Sequence, residues 1–158
     1  MLNTILAQFY ERDLRQLIEE INLFPTEADL WRTTGTITNS AGNLILHLIG
    51  GMNHHICRNI GGIAYERDLE FSQKDVPRDE LIAGLESLII RINQTLAVLT
   101  PEQLEGENPA FFDRPGVLMQ YVFIQLLGHL NYHRGQVNYL RRALEKLTLF
   151  YRRTNYSG

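Results

Sequence analysis

The stretch Val122-Phe123-Ile124-Gln125-Leu126-Leu127-Gly128-His129-Leu130-Asn131-Tyr132-His133-Arg134-Gly135-Gln136-Val137-Asn138-Tyr139-Leu140 decides how this chain is read. Val122, Leu126, Val137 and Leu140 recur at helical spacing, and His129 and His133 fill the gap in the same stripe. At ~100° per residue, a four-residue step puts both rings on one face, about one turn apart. Two imidazoles therefore stand where the pattern calls for leucine. Burying a polar ring without a partner costs roughly 1–3 kcal/mol in proteins. A metal ion would remove that cost at one ring nitrogen, and a hydrogen-bond acceptor at the other. Two readings stay open: a metal-ligand pair, or core histidines satisfied by ordinary hydrogen bonds.

Working outward, three more segments carry a helical period. Leu2, Leu6, Tyr10, Leu14, Leu17, Ile21 and Phe24 form a first stripe, with Glu11, Arg12, Asp13, Glu19 and Glu20 set mostly off it, and Pro25 closes the helix. After a polar connection, Asn39 or Ser40 can cap a second helix running to about Ile63, with Gly61-Gly62 marking its end. Pro77-Arg78-Asp79-Glu80 opens a third, striped by Leu81, Leu85, Leu88, Ile92, Leu96 and Leu99. Thr100-Pro101-Glu102 breaks it and can cap a short turn. A loop with Pro109, Asp113 and Pro115 then leads to the fourth helix, about Gly116 to Leu144. The expected fold is all-α, a four-helix bundle with long inter-helix connections, in one domain over residues 1–158. The basic, aromatic tail 145–158 has no assigned place in it.

Composition narrows the function. The chain has 158 residues, 44% hydrophobic and 21% charged, with a net charge of −3. That is a globular profile, and the acidic balance disfavours a nucleic-acid binder. No uninterrupted apolar run approaches the ~20 residues of a membrane span, so no membrane partner is expected. Met1-Leu2-Asn3-Thr4 lacks the basic head of a leader, and Cys57 is the sole cysteine. A cytoplasmic address is expected.

Helices two and four are unusual. Residues 39–63 contain no carboxylate and only Arg58 as a formal charge, and residues 115–144 contain no Asp or Glu. A solvated helix normally mixes both signs, so these two are expected to be the most buried, or one to lie in a subunit interface. On helix two, His47 follows Asn43 by one turn and precedes Gly51 by another. His47, His129 and His133 are the candidate metal ligands. Asn43, Gln125 and Gln136 are the amides expected to orient a ligand or face a substrate. His54 could point the same way as His47, two turns further on, although a polar patch at the bundle end explains His54 and His55 as well. Cys57, roughly 80° round the helix from His47, suits a buried apolar role. The residues between His129 and His133 include no glutamate, which excludes a zincin, and the missing carboxylates exclude a di-iron site.

Residues 39–51, Asn-Ser-Ala-Gly-Asn-Leu-Ile-Leu-His-Leu-Ile-Gly-Gly, and 129–136, His-Leu-Asn-Tyr-His-Arg-Gly-Gln, resemble the DinB-like (YfiT-like) superfamily of bacterial proteins. Arg67-Asp68 with Glu70-Phe71 also fits one of its branches. The resemblance runs from helix one to about Leu144. It implies a four-helix bundle, often a homodimer, with one divalent metal ion, zinc or nickel foremost, on His47, His129 and His133. Some members look like S-transferases or isomerases that use bacillithiol, mycothiol or glutathione, and others like metal-dependent hydrolases. The expected function is thus metal-dependent transfer of a low-molecular-weight thiol to a small electrophile, or hydrolysis of a small-molecule substrate. The alternative is a non-catalytic metal-binding protein of stress response or interaction.

Overall fold

The computed structural model describes residues 1–66, 73–108, 111 and 114–154, with backbone alone from 147 onward. Arg67, Asp68, Glu70 and Phe71, the loop residues Pro109 and Asp113, and tail residues 155–158 lie outside the described residues. Helix α1 spans Leu2–Asn22, and a 3-10 turn follows at Ala28–Trp31. Helix α2 spans Ala41–Met52 and passes directly into a π-helical segment, Asn53–Arg58. Helices α3 (Arg78–Val98), α4 (Pro101–Glu105) and α5 (Met119–Thr154) complete the chain.

Four long helices form the bundle. Helix α1 packs on α3 and α5, and α2 packs on α3 and α5, so α1 and α2 lie across a diagonal. The connection between them crosses the bundle end, which explains its length. Its 3-10 turn seats Leu30 in the core and lays Trp31 on the start of α2, where a Cβ on Gly42 would stand 2.7 Å from the indole. Ser40 caps α2 by accepting from the Asn43 amide, an interaction typically worth ~1 kcal/mol. Every residue of α2 is buried or half-buried, as expected of a carboxylate-free helix. Helix α5 differs: Tyr121, Ile124, Tyr132 and Tyr139 point outward on one of its faces. Helix α3 is long and apolar enough to cross a membrane by length and composition. Its stripe Leu81, Leu85, Leu88, Ile92 and Leu96 is instead buried in the bundle core.

Three boundaries differ from the expectation. Helix two leaves α geometry at Met52, where the buried Asn53 amide donates to the Ile49 carbonyl and the next turns widen to five-residue bonds such as His54 O to Asn59 N–H. Gly62, at φ +64°, ends the helical run. Helix four starts at Met119 rather than Gly116. Gly116 adopts φ +75°, and the residues after it are held in a bridge where Asn108 N–H donates to Val117 O and Met119 N–H to Gly106 O. That helix then runs on through most of the tail to Thr154. The short turn at Thr100 is α4, closed by a reciprocal capping box between Thr100 and Gln103.

Asp13 is the main surprise of the core. It does not sit off the α1 stripe but is completely buried, facing α5. Its carboxylate accepts from Arg12 Nε (2.8 Å), Asn131 Nδ2 (2.7 Å) and Arg134 Nη1 (3.0 Å). Burial alone would raise its pKa. The hydrogen bonds from Arg12 and Asn131 and the charge of Arg134 outweigh that and hold it below the usual carboxylate value. Two turns of α1 later, Glu20 pairs with Asn138 and Arg141 in the same way. These two clusters fix the rotation of α5 against α1. They thereby set which face of α5 meets α2.

Candidate metal centre

Where α2 crosses α5, His47, His129 and His133 converge. One ring nitrogen from each lies within 4.8 Å of the other two. His47 Nε2 and His129 Nε2 are 2.9 Å apart, and the three rings stand edge to face at centroid separations of 4.3 to 5.2 Å. Among the described residues, no carboxylate or thiolate joins this group.

The local sequence explains the convergence. His129 and His133 occupy the positions of α5 that turn towards α2 once Asn131 and Arg134 are tied to Asp13. His47 comes from the middle of α2 and is itself half-buried. Gly51 has open space where a Cβ would stand, one turn beyond His47.

His129 and His133 are biased towards the neutral form that a metal requires. Burial first, then the neighbouring His133, His47 and His55, pushes the His129 pKa down to about 4. Burial also lowers that of His133, with His47 adding to the effect, and the hydrogen bond His133 donates to Gln136 opposes it in part. Gln136 Oε1 accepts from His133 Nδ1–H at 2.6 Å. A proton held on Nδ1 leaves the Nε2 lone pair of His133 free to act as a ligand.

The donor set fits a divalent ion. Tetrahedral zinc with Zn–N bonds of ~2.0–2.1 Å places its nitrogens about 3.3 Å apart. The observed separations, 2.9 Å for one pair and no more than 4.8 Å for the others, bracket that spacing. Three neutral ligands leave the charge of the ion uncompensated and leave coordination positions for a further molecule.

The proposed amides divide. Gln136 contacts a candidate ligand directly. The Asn43 side chain instead accepts from Ser40 Oγ at the start of α2 (2.8 Å), and Gln125 lies exposed on α5. His54 and His55 fall in the π segment, with ring centroids 4.8 Å apart and His55 edge-on to Phe111 (5.3 Å). His55 is near enough to His129 to add to the lowering of its pKa. Cys57 is buried and its thiol is pushed up to about 12, so it is inert as a nucleophile at neutral pH.

A recess of about 550 Å³ opens beside the centre between the start of α2 and α5. Gln136 lines it while holding His133, and Tyr132 lines it with its ring 5.1 Å from that of His133. Sequence reasoning did not anticipate Tyr132, Tyr139 or the segment 36–39 in this wall. The signal for the tyrosines was their seven-residue spacing on the helix that carries the histidines.

No family model matches the chain, and no curated protein matches it by sequence. Among solved structures, a DinB-like protein from Bacillus cereus ATCC 10987 superposes with a TM-score of 0.74. The two share 18% identity, over 89% of this chain and 91% of that one. The bundle described above is thus the DinB-like fold.

Proposed function

We propose that this protein binds one divalent metal ion through His47, His129 and His133 and uses it to activate a small molecule. The observation that carries the reading is the convergence of three imidazole nitrogens from two helices within 4.8 Å. The Gln136 hydrogen bond adds to it by presetting His133 as a ligand. A divalent ion held there would supply Lewis-acid character and lower the pKa of a water or thiol brought to it. The residues contribute the rest. His129 stays unprotonated through its burial, Gln136 orients His133, and the adjoining recess admits a second molecule.

The first chemistry we assign is transfer of an external thiol to a small electrophile. A sulfur–carbon bond forms, the leaving group departs with the electron pair, and the thiol proton passes to solvent. Cys57 cannot replace the external thiol, being buried and protonated. Zinc or nickel suits an all-imidazole set. Hydrolysis is the near variant and needs no thiol. A homodimer and a reducing compartment complete the proposal. Light scattering at about 18 kDa across working concentrations would reject the dimer.

The decisive measurement is metal content of the purified protein, followed by the same measurement on His133→Ala. About one ion per chain in the parent and a sharp loss in the variant support the site. Equal content in both would refute it. Turnover of an electrophile that needs both metal and added thiol, and that survives Cys57→Ser, separates transfer from hydrolysis.

A further inference from the structure

The recess beside the histidines has a floor and a rim of different chemistry. Leu44 and Leu140 form a buried floor, and Thr36, Thr38 and Asn39 stand exposed along one rim. Tyr132 and Tyr139 flank the other side, and Gln136 joins the recess to His133. None of the residues lining it carries a formal charge. This follows from the sequence. Segment 36–44 has no Asp, Glu, Lys or Arg, and within 132–140 the only one is Arg134. Arg134 is directed to the other side of α5, where Asp13 and Gln16 hold it.

We infer that this recess takes an uncharged small molecule, or the uncharged part of one, with an apolar and preferably aromatic body and an oxygen acceptor for the Gln136 amide. The floor rewards apolar area, at roughly 25 cal/mol per Å² removed from water. The tyrosine rings favour a flat partner. The rim offers hydroxyls and an amide, which replace water around neutral polar groups but cannot compensate an ion. Gln136 already uses its Oε1 on His133, so its Nε2 hydrogens are the donors left for the bound molecule. A carboxylate-rich thiol would have to leave its charges outside this wall. The inference deepens the metal reading, and only the orientation of the bound molecule towards the histidines rests on that reading.

The test uses three probes of one shape: benzamide, benzoate and benzylammonium. Each is titrated into isotopically labelled full-length protein, with and without zinc, and followed by NMR. Benzamide should shift the signals of Leu44, Gln136 and Leu140, and bind about tenfold more tightly than either ion in the zinc-free protein. Thr38→Asp changes an exposed rim residue and spares the core. It should weaken benzoate further and strengthen benzylammonium. Zinc binding, measured separately by calorimetry, should not change in that variant, so failure of the metal site and failure of the recess are read apart. Benzoate binding as tightly as benzamide in zinc-free protein would overturn the inference. So would benzamide shifts confined to other residues. Concentration-dependent shifts of Tyr132 and Tyr139 without any probe would also overturn it, because a second copy would then cover the recess.

Discussion

The two flanks of α5 are built from the same few residues of sequence and do opposite things. Towards α1, Asn131, Arg134, Asn138 and Arg141 meet Asp13 and Glu20, and every charge named there has a partner of opposite sign. Towards α2, His129 and His133 meet His47, and no carboxylate of α2 exists to balance a charge. The first flank is complete within the protein. The second gathers three imidazoles, two of them held towards the neutral form by burial, so a cation would complete it. The contrast separates a buried polar cluster that fixes structure from one suited to bind. The test is whether opposite charge lies within the protein or must come from outside.

Breaking the α1 flank should have the largest effect on stability. Asp13→Ala strands the part-buried Arg134 and leaves Asn131 short of an acceptor. Removing one partner of a buried pair costs about 3–5 kcal/mol. In a chain of this size that lowers Tm by roughly 10 °C. The folded variant should still bind one zinc ion, because it keeps all three histidines. Urea unfolding decides the first point and calorimetry the second. A loss under ~1 kcal/mol would mean that the cluster does not lock α5.

Breaking the α2 flank should do the reverse. His133→Ala leaves two imidazoles from different helices, and zinc affinity should fall by more than about 100-fold, beyond the 10- to 100-fold typical of losing a supporting group. Metal-free stability should change little, since no opposite charge is stranded. A variant that loses stability and keeps zinc would reverse the roles of the two flanks.

How much of this was legible in the sequence follows the same divide. His129 and His133 were readable because polar rings on an apolar stripe contradict the pattern, and His47 because it repeats the anomaly on a carboxylate-free helix. Asp13 was not readable as core, although it lies three residues from Tyr10 and four from Leu17, because buried carboxylates are rare unless paired. Its partners Asn131 and Arg134 lie 118 and 121 residues away. Nothing local announces such a pairing. The π segment hid for a related reason: its bonds belong to backbone geometry at Asn53, which no spacing rule reports. The tail was hidden by its charge, yet no glycine or proline lies between Gln136 and Thr154 to stop the helix.

The pH dependence of metal-free stability should show both flanks in separate windows. His129 has a folded pKa of about 4, below the ~6.5 of an unfolded imidazole. Below pH ~6.5 the unfolded chain takes up a proton that the folded chain refuses. The contribution of His129 is therefore full above that pH and fades as pH falls towards 4. Asp13 also has a lowered pKa, so its contribution is full above the ordinary carboxylate value and is lost only in stronger acid. His129→Gln should flatten the upper window and leave the lower one. Urea midpoints from pH 8 to 3 would show it, and an unchanged slope between pH 6.5 and 4 would contradict the burial of a neutral His129.

The smallest effect belongs to the residue that joins the centre to its recess. Gln136 is exposed and touches His133 through one hydrogen bond, so its loss should hardly move stability. Its influence should appear in metal affinity. With Gln136→Leu, His133 loses the acceptor that holds its proton on Nδ1, and the ring can turn or change tautomer. Supporting groups of this kind are typically worth 10- to 100-fold in affinity, and a solvent-exposed one should fall near the lower end, about tenfold. Gln136→Glu keeps an acceptor and adds negative charge, which makes the imidazole more basic and favours a cation beside it. That variant should bind zinc at least as tightly as the parent while losing the amide hydrogens that face the recess. The pair therefore separates two duties of one side chain. If Leu and Glu at position 136 lower zinc affinity equally, Gln136 does not act through the His133 proton, and the hydrogen bond there does not prepare the ligand.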